Sequence, residues 1–186
     1  VHDENLRRID MVSKWSTVIM LYARKPHYHD EIINLMIRCF HNRELIIIRD
    51  YAGPGDKEPY ANTIAILETL WANRDKKLVS PEGDKATGRQ LINNILAVKL
   101  GDEGLGVYKT AGLEKIHAAF RDRVKNRVMD GQQPFTHIKS WYNMIQYGLK
   151  NYAATRKDLD EYGCQKIPSN CEFIGVDVYH YWWIPQ

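Results

Sequence analysis

The sequence predicts an α/β fold in which parallel strands alternate with helices, in the form of a (β/α)8 barrel of the TIM type. Five short apolar runs, rich in β-branched and aromatic residues, each end in polar or glycine-rich residues. Longer segments with helical periodicity separate these runs. Strands that alternate with helices along a chain pair in parallel through helical crossovers. We therefore expect one domain over residues 1–186, with about five strands of the barrel type.

Several of the predicted strands are nearly continuous in apolar character. This character is typical of strands that are buried on both faces, as in parallel sheets. In chain order the predicted strands are "STVIMLYA" at residues 16–23, "ELIIIRDY" at 44–51, "ILAVKLGDE" at 95–103, "FTHIKSWY" at 135–142 and "EFIGVDVYHY" at 172–181.

Helices are predicted between these strands from apolar residues that recur at i, i+3, i+4 and i+7. The segment "DEIINLMIRCFHNR" follows this rule from Ile32 to Phe40, and Cys39 lies on its apolar side. The segment "GLEKIHAAFRDRVKNRV" repeats the rule from Leu113 to Val128. Further helices are predicted at about residues 62–74, 88–96 and 140–153.

Two architectures fit this alternation, an open doubly wound sheet and a barrel. An open dinucleotide-binding sheet needs a glycine-rich turn after its first strand, and "YARKPHYHD" contains no glycine. The glycines of "LGDEGLG" are accompanied by carboxylates where a phosphate would have to bind. The barrel is therefore preferred, and no nucleotide or other cofactor is predicted.

Composition excludes several classes of partner. A chain of 186 residues that is 44% hydrophobic can bury one sizeable core, and its formal net charge is only +3. This charge gives no electrostatic reason to expect nucleic acid as a partner. No apolar run approaches the roughly 18 to 20 residues of a membrane-spanning helix, and so no membrane segment is predicted.

The cysteines do not indicate a structural metal site, because C-x-x-C pairs and zinc-type spacing are absent from the sequence. Cys164 and Cys171 flank a turn-rich segment, "QKIPSN". The pair could form a short disulfide in an oxidising compartment or stay reduced in the cytosol. The cysteines leave the compartment open, and an extracellular or surface-associated location is favoured.

Acidic and aromatic residues recur where the predicted strands end. In a (β/α)8 barrel, chemistry takes place at the carboxyl ends of the strands, so these residues should meet at one rim. Aromatic faces pack against the C–H surface of a sugar ring, and carboxylates accept hydrogen bonds from its hydroxyl groups. The rim residues that we assign to a sugar site are Asp50, Tyr51, Asp102, Glu103, Trp141, Asp177, Tyr179, His180 and Trp182.

The order of "LAVKLGDEG", "FRDRV", "HIKSWYNM" and "YGCQKIPSNCEFIGVDVYHYWW" resembles the middle of a clan-A-type (β/α)8 glycoside hydrolase. This resemblance implies that Glu103 is the general acid/base and that Asp177 and Tyr179 contact the sugar. Asp102 occupies the position where the larger clan has an asparagine, and Gly104 replaces the usual proline. A carboxylate beside Glu103 would raise the pKa of Glu103, which suits an acid.

By this resemblance the predicted strands correspond to strands two to six of the barrel. The family's nucleophile lies on strand seven, and a complete barrel takes about 250 residues. We therefore expect a further chain segment or a second subunit to complete the barrel. The carbohydrate substrate's identity and the retaining or inverting outcome stay open.

Two other functions fit the same residues. The first is a non-catalytic carbohydrate-binding or structural domain on a hydrolase-derived scaffold within a larger assembly. The second is an α/β enzyme in which the carboxylates at the strand ends hold a hard divalent cation, since such ions prefer oxygen ligands. This cation would use Asp50, Asp102, Glu103 and Asp177.

Overall fold

A parallel sheet of five strands forms the centre of the fold. The computed structural model describes residues 2–23, 26–50, 52–53, 55–101, 110–145 and 171–177. The strands of this sheet are β1 (Val18–Tyr22), β2 (Leu45–Arg49), β5 (Ile95–Gly101), β6 (Lys139–Ile145) and β7 (Phe173–Asp177). A separate antiparallel hairpin consists of β3 (Lys77–Val79) and β4 (Lys85–Thr87).

Helices connect the strands. They are α1 (His2–Val12), α2 (His29–His41), α3 (Ala61–Ala72), α4 (Gly88–Asn93) and α5 (Thr110–Phe120). A short 3-10 turn, Pro26–Tyr28, precedes α2, and a π-helical turn, Arg121–Lys125, follows α5. Within the described residues no helix is long and apolar enough to span a membrane.

The strands lie side by side in the order β1-β2-β5-β6-β7, and every neighbouring pair is parallel. The order in the sheet therefore follows the order in the chain. The predicted α/β class, with a parallel sheet and alternating helices, is confirmed. The sheet is open as far as the described residues show, with β1 and β7 at its two edges.

The helices share one core on one face of the sheet. Alternate strand residues such as Ile46, Ile48 and Val98 belong to the same buried cluster as residues of all five helices. Ile47 and Ala97 are also buried but do not belong to this cluster. Their side chains lie on the opposite face, because successive side chains of a strand point to opposite faces.

The prediction of a helix at residues 140–153 is wrong for residues 140–145, which form most of β6. Parallel pairing with β5 on one side and β7 on the other overrides the local helical pattern. The predicted strand at 135–142 also begins too early, since Phe135 is buried in a turn before β6. The β3–β4 hairpin and α1 were not predicted.

Arg38 of α2 forms hydrogen bonds with both α1 and the β3–β4 hairpin. Its guanidinium donates two hydrogen bonds of 2.7 Å to Asp10 and one of 2.7 Å to Asp84. Hydrogen bonds from Arg38 lower the pKa of Asp10 despite an opposing contribution from burial. This network lies at the end of α2 that precedes β2, away from the carboxyl ends of the strands.

Candidate functional site

The carboxyl ends of all five parallel strands meet at one edge of the sheet, which is where functional residues of such folds lie. The final residues of the strands are Tyr22, Arg49, Gly101, Ile145 and Asp177. Asp102 and Glu103 follow Gly101 directly in the chain. Strand β5, which precedes them, is the middle strand of the sheet.

The structure describes the side chains of two of the predicted site residues, Asp50 and Trp141. Asp177 is the last residue of β7, but its side chain lies outside the described part. The remaining predicted residues, Tyr51, Asp102, Glu103, Tyr179, His180 and Trp182, also lie outside the described residues.

Asp50 follows β2 and connects it to the start of α3. Its Oδ2 accepts a hydrogen bond from the Thr63 backbone N–H at 2.9 Å and another from Thr63 Oγ1 at 2.8 Å. Only 7% of the residue is exposed. Burial raises the pKa of Asp50 even though these hydrogen bonds oppose the change. Asp50 therefore satisfies one backbone N–H and one hydroxyl group of Thr63 in the first turn of α3, on the helix side of the sheet.

Trp141 lies on the other face of the sheet, in the middle of β6. It pairs in register with Lys99 of β5 and with Phe173 of β7. The ring centroids of Trp141 and Phe173 are 6.3 Å apart. Within the described residues Trp141 Nε1 is buried and has no hydrogen-bond acceptor. The structure therefore separates Trp141 from Asp50 rather than bringing them to one surface.

One residue from each strand aligns with Trp141 to form a continuous row across the sheet. Registered pairs join Tyr22 to Arg49, Arg49 to Lys99, Lys99 to Trp141 and Trp141 to Phe173. We call these five residues the cation–aromatic row. Two positive charges stand beside each other near its middle, flanked by aromatic rings. With strands about 4.8 Å apart, the row extends about 19 Å across the sheet.

The row is buried at its centre and accessible at its ends. Lys99 is 4% exposed, whereas Tyr22 and Phe173 are 46% and 37% exposed. Arg49 Cζ lies 4.3 Å from the centre of the Tyr22 ring, close enough for a cation–π interaction. Arg49 and Lys99 were not among the predicted site residues. The sequence does contain a signal for them, because each is a positively charged residue within a predicted strand that is otherwise mostly apolar.

A second row lies one layer closer to the amino ends of the strands. It runs through Met20, Ile47, Ala97 and Lys139. Ile47 and Ala97 are buried, and Lys139 Nζ donates to Glu172 Oε1 at 3.0 Å. On this face of the sheet, the cation–aromatic row therefore lies beside a row that is apolar at its centre.

A serine and a histidine meet on the helix side of β6 but do not form an accessible nucleophile. His117 Nε2 is 3.0 Å from Ser140 Oγ. Ser140 is fully buried, and its Oγ accepts a hydrogen bond from the Glu172 backbone N–H at 3.3 Å. A substrate cannot reach this hydroxyl group, and so the pair has a structural role in joining α5 to β6.

Glu172 holds β6, β7 and the π-helical turn together. Its carboxylate accepts hydrogen bonds from Lys125 Nζ at 2.9 Å and from the Ser140 backbone N–H at 2.9 Å. Burial alone would raise the pKa of Glu172. The hydrogen bonds from Lys125, Ser140 and Lys139 outweigh this effect and hold the pKa below its usual value. Glu172 thereby supports the strand that carries Trp141.

Within the described residues no group of three or more His, Cys, Asp or Glu side chains is placed to hold a metal ion. Of the four carboxylates considered for a divalent cation, only the Asp50 side chain is described. Cys171 is a free thiol that contacts the Phe173 carbonyl oxygen at 3.1 Å, and burial raises its pKa to about 11. Comparison of the chain with protein-family models and with curated proteins found no match.

Proposed function

We propose that this protein is a glycoside hydrolase-like domain that acts on a polysaccharide or oligosaccharide, with Glu103 as the general acid/base. The observation that carries this proposal is the position of β5, the middle strand of a parallel sheet, from whose carboxyl end Asp102 and Glu103 continue. The cation–aromatic row crosses the same strand at Lys99, two residues before its end. In this proposal the acidic residues act just beyond the end of the strand that Lys99 belongs to.

We further propose that the sheet is a segment of a (β/α)8 barrel. Its strand order follows the chain order, and its helices share a core on one face. A doubly wound sheet instead reverses its strand order and has helices on both faces. Buried Ile47 and Ala97 on the opposite face suit a barrel interior, which is filled by layers of side chains. Closure would need further strands between β7 and β1.

The proposed reaction is hydrolysis of a glycosidic bond. Protonated Glu103 donates its proton to the departing glycosidic oxygen as the bond from this oxygen to the anomeric carbon breaks. A second carboxylate attacks the anomeric carbon or activates a water molecule, and water supplies the new hydroxyl group. Asp102 is the nearest carboxylate in the chain and would raise the pKa of Glu103, which keeps the acid protonated.

In this proposal the sugar packs against Trp141, and the remaining predicted contacts come from Tyr51, Asp177, Tyr179, His180 and Trp182. Asp50 supports the cleft through its bonds to Thr63 and does not itself reach the sugar. The alternative, a non-catalytic carbohydrate-binding domain, is favoured by one observation. The cation–aromatic row offers stacking and hydrogen bonding to a sugar but contains no carboxylate.

The test is replacement of Glu103 by glutamine, which keeps the shape of the side chain and removes its proton. We expect Glu103→Gln to lower hydrolysis of a susceptible oligosaccharide by at least about a hundredfold, while oligosaccharide binding stays within about twofold. Glu58→Gln is the matched control, because Glu58 is an exposed glutamate in the loop after β2. Reducing-sugar release and calorimetric binding would be measured on the same samples.

Equal hydrolysis by the Glu103→Gln and Glu58→Gln variants would refute the role of Glu103. Binding without hydrolysis by the unmodified protein, over a broad set of polysaccharides, would support the non-catalytic alternative. Failure to bind any oligosaccharide would reject both proposals together.

A further inference from the structure

We infer that the groove beside the edge strand β1 is an interface between two copies of this chain, in which Trp15 of each copy inserts into the groove of the other. The inference does not depend on the proposed hydrolase activity. Its basis is an exposed tryptophan shortly after α1 and a small apolar groove that α1 forms with β1 and α2.

Exposed apolar side chains are concentrated around β1. Large apolar patches are uncommon on the surface of monomeric proteins, and they mark contact sites for other proteins. Of the nine large apolar side chains that the described residues expose, five lie between residues 11 and 22. They are Met11, Val12, Trp15, Met20 and Tyr22. This part of the surface is therefore the best candidate for a protein contact among the residues that the structure describes.

The edge of β1 lacks the features that usually prevent strand edges from associating. Within the described sheet β1 pairs with β2 alone. Charged residues or proline commonly protect such edges, and the strand Val18–Tyr22 contains neither. Its first residue is closed to another strand, because Ser16 Oγ accepts a hydrogen bond from the Val18 N–H at 3.2 Å and donates one to the Val18 carbonyl oxygen at 2.7 Å. Beyond Val18 the edge is open to a neighbouring molecule as far as the described residues show.

Trp15 projects from an ordered turn. The residue is 89% exposed, the highest value among the large apolar residues of the described part of the chain. Its backbone N–H donates to the Val12 carbonyl oxygen at 2.8 Å, and the Ser16 N–H donates to the same oxygen at 2.9 Å. An ordered backbone lowers the entropic cost of association, and tryptophan is enriched among the residues that dominate interface energies. Trp15 is therefore suited to anchor an interface.

The groove has the chemistry that an indole ring requires. Its volume is about 240 Å³, below the roughly 300 Å³ of the smallest pockets for drug-sized ligands, and so it suits a single side chain. Ile19 and Leu21 of β1 and Ile32 of α2 contribute apolar walls. Arg8 and Glu31 are polar lining residues. A guanidinium can stack on an indole face, and a carboxylate can accept a hydrogen bond from the indole N–H.

The position of Trp15 beside the groove selects a second copy of the chain as the partner. Val12 both lines the groove and accepts the hydrogen bond from the Trp15 N–H. When a projecting side chain and its receptor lie side by side on one surface, a two-fold axis beside them forms both reciprocal contacts at once. Each dimer would therefore bury two tryptophan side chains. In this arrangement the second subunit expected beside the open sheet is another copy of the same chain.

The oligomeric state of the unmodified protein is the first measurement. We expect sedimentation equilibrium to show a reversible dimer whose fraction rises with protein concentration. Trp15→Ala should weaken dimerisation at least about a hundredfold, because it removes two contacts of the kind that dominate interfaces. Val128→Ala is the matched control and should leave dimerisation unchanged, since Val128 is also an exposed apolar residue but does not line the groove.

A second variant tests the groove separately from the tryptophan. Val12→Lys places a charge on the groove wall while Trp15 remains, and it should also prevent dimerisation. A lysine at the last residue of α1 is compatible with the helix, and circular dichroism checks that each variant is folded. A mixture of Trp15→Ala and Val12→Lys restores one intact contact per heterodimer, because one chain supplies the tryptophan and the other the groove. The mixture should therefore associate more tightly than either variant alone.

A protein that stays monomeric at every concentration would overturn the inference. So would a dimer that Trp15→Ala and Val128→Ala affect equally, or a mixture of Trp15→Ala and Val12→Lys that associates no better than each variant alone. None of these results bears on hydrolysis by Glu103, so failure of the dimer inference is distinct from failure of the proposed function.

Discussion

At the end of β2 the side chains of two adjacent residues lie on opposite faces of the sheet. Arg49 contributes to the cation–aromatic row, whereas Asp50 accepts two hydrogen bonds from Thr63 on the helix side. Strand alternation alone produces this division. A carboxylate at a strand end is therefore not sufficient evidence for a ligand contact, because the start of the next helix also needs acceptors for its unpaired N–H groups.

The residue-scale prediction concerns Asp50. Asp50→Ala should lower the free energy of unfolding by about 1–3 kcal/mol, because buried donors of Thr63 lose their acceptor. Asp50→Asn should cost less than about 1 kcal/mol at pH 7, since an amide oxygen can still accept both bonds. Urea denaturation of the two variants and the unmodified protein measures these differences.

The same carboxyl group predicts a pH dependence. Its pKa in the folded protein is raised above 3.8, so the folded state binds this proton at a higher pH than the unfolded chain does. As the pH falls through the folded pKa toward 3.8, the unmodified protein should gain stability relative to Asp50→Asn. Asp56→Asn, in the exposed loop after β2, is the control. A stability difference between the unmodified protein and Asp50→Asn that is independent of pH would contradict the assignment.

At the scale of elements, the contact between α3 and α4 depends on a glycine. Thr87 caps α4 through a reciprocal pair of hydrogen bonds with Gln90, and Gly88 begins the helix. The Gly88 backbone N–H donates to the Asn73 carbonyl oxygen at 3.2 Å. A Cβ atom at Gly88 would lie only 2.0 Å from the Leu70 carbonyl oxygen. The start of α4 and the end of α3 can therefore approach this closely only because residue 88 has no side chain.

We predict that Gly88→Ala lowers the free energy of unfolding by about 3 kcal/mol or more, because backbone atoms on both sides must move apart. Gly55→Ala is the matched control, since a Cβ atom there would meet nothing within 4 Å. It should change stability by less than about 0.5 kcal/mol. Thermal or urea unfolding of both variants measures these changes in the free energy of unfolding. Similar stabilities for the two would show that α3 and α4 do not pack as described.

At the scale of the whole molecule, the order of strands predicts a gradient of stability across the sheet. Strands β2 and β5 pair on both sides, whereas β1 pairs only with β2 within the described sheet. Central strands of a cooperative sheet open only with global unfolding, while edges open locally. Hydrogen exchange should therefore be slowest in Ile46–Ile48 and Ala97–Leu100. Exchange in β1 as slow as in β2 would indicate a further partner for the β1 edge.

Much of the fold could be predicted from local pattern. Each of the five strands of the main sheet overlaps a predicted apolar run, because residues buried on both faces must be apolar along the whole strand. Helices α2, α3, α4 and α5 were also predicted, from their apolar periodicity or from the segments between strands. The first helix and the β3–β4 hairpin were not predicted. Among the residues of α1 whose burial is described, only Leu6 and Ile9 are buried, and each hairpin strand has three residues.

The sequence by itself determined the α/β class, the parallel strands and the carboxylates that follow β5, because local periodicity and chain order encode these features. Only the tertiary structure decided that residues 140–145 form a strand, since pairing with β5 and β7 outweighs a local helical pattern. It also brought together Tyr22, Arg49, Lys99, Trp141 and Phe173. Their alignment depends on strand register, which shifts between Ile46 and Ile47 and again between Lys99 and Gly101. Pairing between distant segments sets this register, and no local pattern records it.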